Sequence, residues 1–226
     1  MNIKLNIQMD IQNYFTKIYL LNSWQSNESI SGPGSERNNY TINNLINIVL
    51  NLINMNLNDN TTLRLVDCPC GDFNWIDLLF ISIFKNTNIK TIKYYAYDIV
   101  PDLLEKFNNI TKIDNVEYNF NVLDITKEIP IKSDLIICKE LFIHLSFDDI
   151  KKTINNFKNS ESSYFISNDF ENIDNVDINE YKNDCLGECR AICLTLPPFN
   201  LSNYLIKYQD YKAYTLKNIN LFVNLL

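Results

Sequence analysis

Between Leu63 and Ser167 short apolar runs rich in β-branched and aromatic residues alternate with amphipathic stretches. The runs are Leu63–Asp67, Thr91–Tyr97, Glu117–Leu123, Leu135–Cys138 and Ser163–Ser167. Helical spacing occupies 74–86, Pro101–Asn109 and Phe147–Asn159, with Pro101 at a first-turn position where its missing N–H is no loss. Strand and helix in alternation fold as right-handed βαβ units around a mostly parallel sheet. Near the end, Tyr204–Tyr208 and Tyr211–Leu216 flank Gln209-Asp210, which predicts an antiparallel hairpin. The expected fold is therefore α/β, a seven-stranded sheet closed by that hairpin.

Two helices precede the sheet. Ile7, Ile11, Tyr14, Phe15, Ile18 and Tyr19 fall at helical spacing, so 4–21 predicts a helix with one docking face. Ile42, Leu45, Ile46, Val49, Leu52 and Ile53 mark a second. Between them, Glu28-Ser29-Ile30-Ser31-Gly32-Pro33-Gly34-Ser35 holds two of the chain's four glycines. A chain so poor in Gly has no structural need of such a loop, and it reads as a lid. The division expected is 1–60 for helices and lid, and 61–226 for the core.

Charge narrows the partners. Twenty Lys and Arg stand against 27 Asp and Glu, a net charge of -7. A nucleic-acid clamp needs a basic surplus, so a small-molecule or glycan partner is expected and nucleic acid is not. Met1 to Asp10 has no apolar signal core, and no run is long enough to span a bilayer, which points to a cytoplasmic protein with no membrane partner. Oligomeric state is left open.

In an open parallel sheet, ligands bind beyond the carboxyl ends of the strands. The first predicted strand runs into Asp67-Cys68-Pro69-Cys70-Gly71-Asp72-Phe73-Asn74-Trp75, the second ends at Asp98, the third at Asp124, and the fourth at Lys139-Glu140 with His144 following. One Asp after a strand is ordinary turn chemistry. Three facing one crevice make a candidate site.

These residues carry a resemblance. The chain resembles the class I S-adenosylmethionine-dependent methyltransferases, and within them a small family whose first motif reads D-x-P-C-G-D-F-N-W. The Ser29–Ser35 loop, Asp98-Ile99-Val100, Leu123–Thr126, His144-Leu145-Ser146, Arg190 and Pro197–Asn200 match further signatures of that family, so the resemblance spans roughly 24–216. It implies a Rossmann-like fold, S-adenosyl-L-methionine as cofactor, and transfer of its methyl group by in-line displacement. It also implies a setting beside polysaccharide biosynthesis, hence a sugar-hydroxyl acceptor and O-methylation. It places Asp124 and Ile125 near the adenine. Pro69 departs from the usual Gly of class I enzymes and removes a backbone donor.

The residues agree with it. Gly71 lets backbone approach a ligand closely. Asp67 can hold an ammonium, the turn through Cys70, Asp72 and Trp75 leads into a helix N-terminus suited to a carboxylate, and Asp98 with Ile99 suits the ribose hydroxyls. Lys139 completes the cofactor set. Glu140 and His144 are candidate bases for a hydroxyl nucleophile. Trp24, Ser29, Ser31, Gly32, Gly34, Ser35, Arg37 and Arg190 are candidate lid or acceptor contacts. A dehydrogenase would want G-x-G-x-x-G after the first strand, and only Gly71 stands there. The competing readings are a cofactor-binding subunit without activity and a methyltransferase of RNA or protein. Cys185, Cys189 and Cys193 are spaced four apart, as on one helix face, which is not a zinc-ribbon spacing, so no metal is expected.

Overall fold

The computed structural model describes residues 10–171, 173–180, 187–201, 204–210 and 217–223. Helix α1 spans Ile11–Leu20 and α2 spans Tyr40–Asn56. Strand β1 (Thr62–Asp67), α3 (Ile76–Asn86), β2 (Thr91–Asp98), α4 (Pro101–Glu105) and β3 (Val116–Val122) follow. Then come β4 (Leu135–Cys138), α5 (Phe147–Asn159), β5 (Tyr164–Phe170), β6 (Tyr204–Asp210) and β7 (Lys217–Val223).

The strands form one sheet in the order β3-β2-β1-β4-β5-β7-β6. The five from β1 to β5 pair in parallel, while β7 is antiparallel to both β5 and β6. The order reverses between β1 and β4. A crevice therefore opens beyond the carboxyl ends of these two strands, the usual ligand position in such a sheet.

Alternate residues of each strand feed opposite faces. Leu63 and Leu65 of β1 and Tyr94 of β2 pack under α2 and α3, against Ile42, Leu45, Leu52, Leu79 and Phe80. Val66 and Ile136 face α5, against Ile150, Ile154 and Phe157. Local chemistry sets the helix starts. Asn39 accepts the N–H of Thr41 ahead of α2, and Ser146 accepts the N–H of Asp149 ahead of α5. Asp148 and Asp149 in the first turn of α5 complement its dipole.

Two sequence expectations change. Gln209 and Asp210 are not a turn: they continue β6 and pair with Asn218 and Lys217 of β7. An edge strand tolerates such polar residues. The second arm expected at 211–216 lies outside the described residues, as does the start of the first predicted helix. Cys189 and Cys193 do not share a helix face, because 188–193 is not helical; Cys189 is exposed and Cys193 buried. Cys185 lies outside the described residues. Among those described, no group of His, Cys, Asp and Glu is arranged to hold a metal ion, and no helix is long and apolar enough to cross a membrane.

Candidate active site

Beyond β1 and β4 lies a cavity of about 100 Å³ lined by Trp24, Ser31, Ser35, Pro69, Cys70, Gly71, Trp75, Asp98, Ile99, Lys139, Glu140 and His144. Phe15 and Tyr19 of α1, with Ile30 and Leu103, add apolar walls. A smaller cavity of about 30 Å³ adjoins it, lined by Ile11, Phe15, Cys68, Leu123, Asp124, Ile125 and Thr126. Pro69, Asp98, Ile99 and Leu141 border both. The space is thus bipartite, with Asp98 at the junction.

Asp98 ends β2 and is 6% exposed. Its Oδ2 accepts the Gly71 N–H at 3.1 Å and its Oδ1 accepts the Val100 N–H at 3.0 Å. The Ile99 N–H also pulls on it, and the lone pairs left over can still accept from a hydroxyl donor. Burial pushes this carboxyl up to about 6, against the lowering pull of those backbone donors. Asp124, at the far end of the smaller cavity, is fixed locally. Its Oδ1 accepts the Thr126 hydroxyl at 2.6 Å, and Lys127 pairs with it at 2.8 Å. Partial burial would raise it, but these contacts together hold it below the ordinary carboxylate value.

The turn after β1 is left-handed at two places and strained at the second. Gly71 has φ +59° and Phe73, a bulky residue, φ +65°. Phe73 is kept there by ring contacts to Tyr94, Phe107, Tyr118 and Phe120 at 5.3–6.0 Å. A side chain at Gly71 would run into the Ser31 hydroxyl.

The Gly/Ser loop is latched onto this turn. Asp72 accepts the Ser29 hydroxyl at 3.0 Å and the Ile30 N–H at 2.8 Å, and gives its own N–H to Ser31 Oγ at 2.8 Å. Asn74 donates to Glu28 at 2.9 Å and to the Ser35 carbonyl at 3.0 Å. The Arg37 guanidinium grips both oxygens of Asp77, at 2.7 and 2.8 Å. From β4, Lys139 Nζ reaches Ser35 Oγ at 2.8 Å and the Gly34 carbonyl at 3.1 Å. Gly32 has φ +89°, and a Cβ there would press on Trp24. Gly34 has Glu140 against it: an added Cβ would sit 3.3 Å from Oε1.

Glu140 and His144 both line the main cavity. Glu140 has φ +59°, rare for a non-glycine, and its N–H donates to Asn168 Oδ1 at 2.7 Å. His144 Nδ1 lies 2.6 Å from the Glu188 carbonyl. A carbonyl only accepts, so Nδ1 carries the proton and Nε2 keeps its lone pair. Trp24 lies over the imidazole at 5.2 Å and Phe15 meets it edge-on at 6.1 Å. Burial lowers the imidazole pKa, outweighing the Glu188 carbonyl and the nearby Glu140 charge, so the ring is neutral near pH 7.

Several predicted site residues take other places. Asp67 does not line the cavity: it is 2% exposed and accepts the Tyr94 hydroxyl at 2.8 Å. Burial pushes it up to about 7, so much of it is protonated and it is a poor counter-ion for an ammonium. Asp72 and Ser29 face each other rather than the cavity, and Arg37 is taken by Asp77. Arg190 is not an acceptor contact. It is buried and donates to the carbonyls of Phe142, Ile143, Leu145 and Val176, bracing the loop that carries His144. Sequence reasoning missed Phe15 and Tyr19 as cavity walls, although their helical spacing marked a docking face. It also missed Tyr94, Asn168 and Gly187, which have no local signal.

No family model matches the sequence, and no curated protein matches it. Solved structures do match the fold. Magnesium protoporphyrin IX methyltransferase from Synechocystis PCC 6803, with bound SAM, superposes with a TM-score of 0.59 at 13% identity, over 97% of this chain and 99% of that one. Human N-acetylserotonin methyltransferase in complex with SAM gives 0.54 at 12%, over 96% and 60%. An S-adenosylmethionine-dependent methyltransferase from Clostridium acetobutylicum ATCC 824 gives 0.51 at 16%, over 81% and 91%. Over nearly its whole length the chain has the Rossmann-like fold of S-adenosylmethionine-dependent methyltransferases.

Proposed function

We propose that the protein is a class I S-adenosylmethionine-dependent methyltransferase acting on a hydroxyl of a small molecule, with a sugar or glycan precursor as the acceptor class. The observation that carries this reading is Asp98 at the junction of a bipartite cavity. A nucleoside with a charged tail needs three subsites in a row. The small cavity at Leu123–Thr126 suits the adenine. Asp98 suits the ribose hydroxyls. The main cavity, with Gly71, Trp75 and Lys139, suits the amino-acid end.

The residues present fit that ligand. Aromatic faces from Trp24 and Trp75, beside the Glu140 carboxylate, favour a cationic centre. When bound, the cofactor would supply a methyl group already activated by its sulfonium. The chain's own work is positioning, exclusion of water and removal of one proton. Ser29–Ser35, tied to Asp72, Asn74 and Lys139, closes the space from above. His144 is the better of the two candidate bases. It is neutral, its Nδ1 proton is committed to a carbonyl, and Nε2 is left to take the proton of an acceptor hydroxyl during attack. Glu140 completes the wall beside Gly34.

The sugar acceptor rests on the acidic balance of the chain, which disfavours nucleic acid, and on the need of a poorly acidic hydroxyl for a base. The test offers methyl-labelled cofactor to nucleotide sugars, glycans, RNA and peptides in parallel. Label in a sugar fraction supports the reading. Label confined to RNA or peptide removes the sugar assignment and leaves the cofactor site standing.

A further inference from the structure

The single histidine is held by a backbone segment that follows it by more than forty residues. The Gly187 carbonyl accepts the Trp24 indole N–H at 2.9 Å, and the Gly187 N–H donates to the Tyr14 hydroxyl at 3.2 Å. One residue on, the Glu188 carbonyl accepts from His144 Nδ1 at 2.6 Å. The same short stretch therefore anchors the ring tilted over His144 and the proton that sets its tautomer. Gly187 has φ +85°, which L side chains rarely adopt. A Cβ there would lie 2.9 Å from Trp24 Nε1 and 3.2 Å from its Cδ1.

We infer that Gly187 is a positioning residue for His144: its missing side chain lets the 187–188 backbone close on Trp24 and fix the imidazole with Nδ1 protonated and Nε2 open to the cavity. This rests on the reading of His144 as base. With any larger residue the indole over His144 or the 187–188 peptide must move, and a shift of the peptide carries the Glu188 carbonyl with it. Among the described residues, Glu140 favours its protonated form and Arg190 opposes it, while Asp10, Asp149 and Glu188 line a shallow pocket on another side of the ring. A shift in the ring therefore changes both its tautomer and its titration.

Because the chain has one histidine, nitrogen NMR of the imidazole reports this directly. The wild type is expected to show protonated Nδ1 and unprotonated Nε2 from pH 7 to 8. Gly187→Ala is expected to give mixed tautomers and a pKa moved toward the ordinary histidine value of about 6.5. A folded Gly187→Ala with the wild-type spectrum and titration overturns the inference, as does a wild-type ring protonated at Nε2. If Gly187→Ala does not fold, Gly187→Ala in a Trp24→Phe background decides. That change deletes the atom nearest the new Cβ and keeps a ring on His144. Recovery of the fold with Nδ1 protonated supports the inference, and failure to recover overturns it. Calorimetry with S-adenosylhomocysteine separates the two claims: a wild type that binds none sinks the cofactor reading, while the spectra still decide the role of Gly187.

Discussion

Asn168 Oδ1 takes the backbone N–H of Glu140 at 2.7 Å and so holds Glu140 in the left-handed region, its side chain against Gly34 of the Gly/Ser loop. A non-glycine in this conformation costs about 1–2 kcal/mol, while glycine in its place loses about 0.5–1 kcal/mol to entropy. Glu140→Gly is therefore expected to leave the melting temperature unchanged or slightly raised. Asn168→Ala orphans the N–H and is expected to cost about 1–3 kcal/mol. Thermal unfolding of the two variants checks this, and a marked loss of stability in Glu140→Gly contradicts it.

Two buried carboxyls set a pH dependence. Asp67 titrates at about 7 and Asp98 at about 6 in the fold, against 3.8 as the ordinary value. Between about pH 4 and 7 the folded state thus holds more protons than the unfolded one, so stability falls as pH rises through that window. Asp67→Asn keeps an acceptor for the Tyr94 hydroxyl and removes one of the two titrations. Urea unfolding at several pH values is expected to show a shallower decline in this variant than in the wild type.

Asp72 supplies two of the side-chain contacts that hold the Ser29–Ser35 loop. Asp72→Ala removes the acceptor for both the Ser29 hydroxyl and the Ile30 N–H. Amide hydrogen exchange at 29–35 should quicken, with the strands unaffected. Exchange at Ile30 equal to wild type would show that the loop is held elsewhere.

Arg190 braces backbone rather than substrate. Its guanidinium is desolvated enough to fall to about 10, yet it still supplies charged donors to four carbonyls. Each such bond is worth about 1.5–3 kcal/mol, so Arg190→Ala is expected to lower stability severely. A stable Arg190→Ala with weakened acceptor affinity would restore the role first expected for this residue.

Much of this was legible in the sequence where the signal is local. β4 and α5 fall at their predicted bounds, because Leu135–Cys138 is wholly apolar and Ser146 caps a strongly amphipathic helix. β5 runs on through Asn168 and Asp169, whose polar side chains resemble a strand end but are buried and bonded. The crevice residues Gly71, Asp98, Lys139, Glu140 and His144 follow from strand-end logic. Tyr94 under Asp67, Asn168 behind Glu140 and Gly187 behind His144 were hidden. Each acts across 27 residues or more of chain, and a hydrogen bond of that separation leaves no local pattern. Arg190 was read as an acceptor contact because an arginine in a loop reads as a surface cation, not as a donor to four buried or partly buried carbonyls.

Calorimetric titration of S-adenosylmethionine into the wild type and Asp98→Ala tests the account most directly. The wild type is expected to bind one equivalent. The variant should bind at least about a hundredfold more weakly, since two hydrogen bonds to a charged acceptor, each worth roughly 1.5–3 kcal/mol, are lost. No binding by the wild type would contradict the central claim, and equal binding by Asp98→Ala would contradict the place given to the ribose.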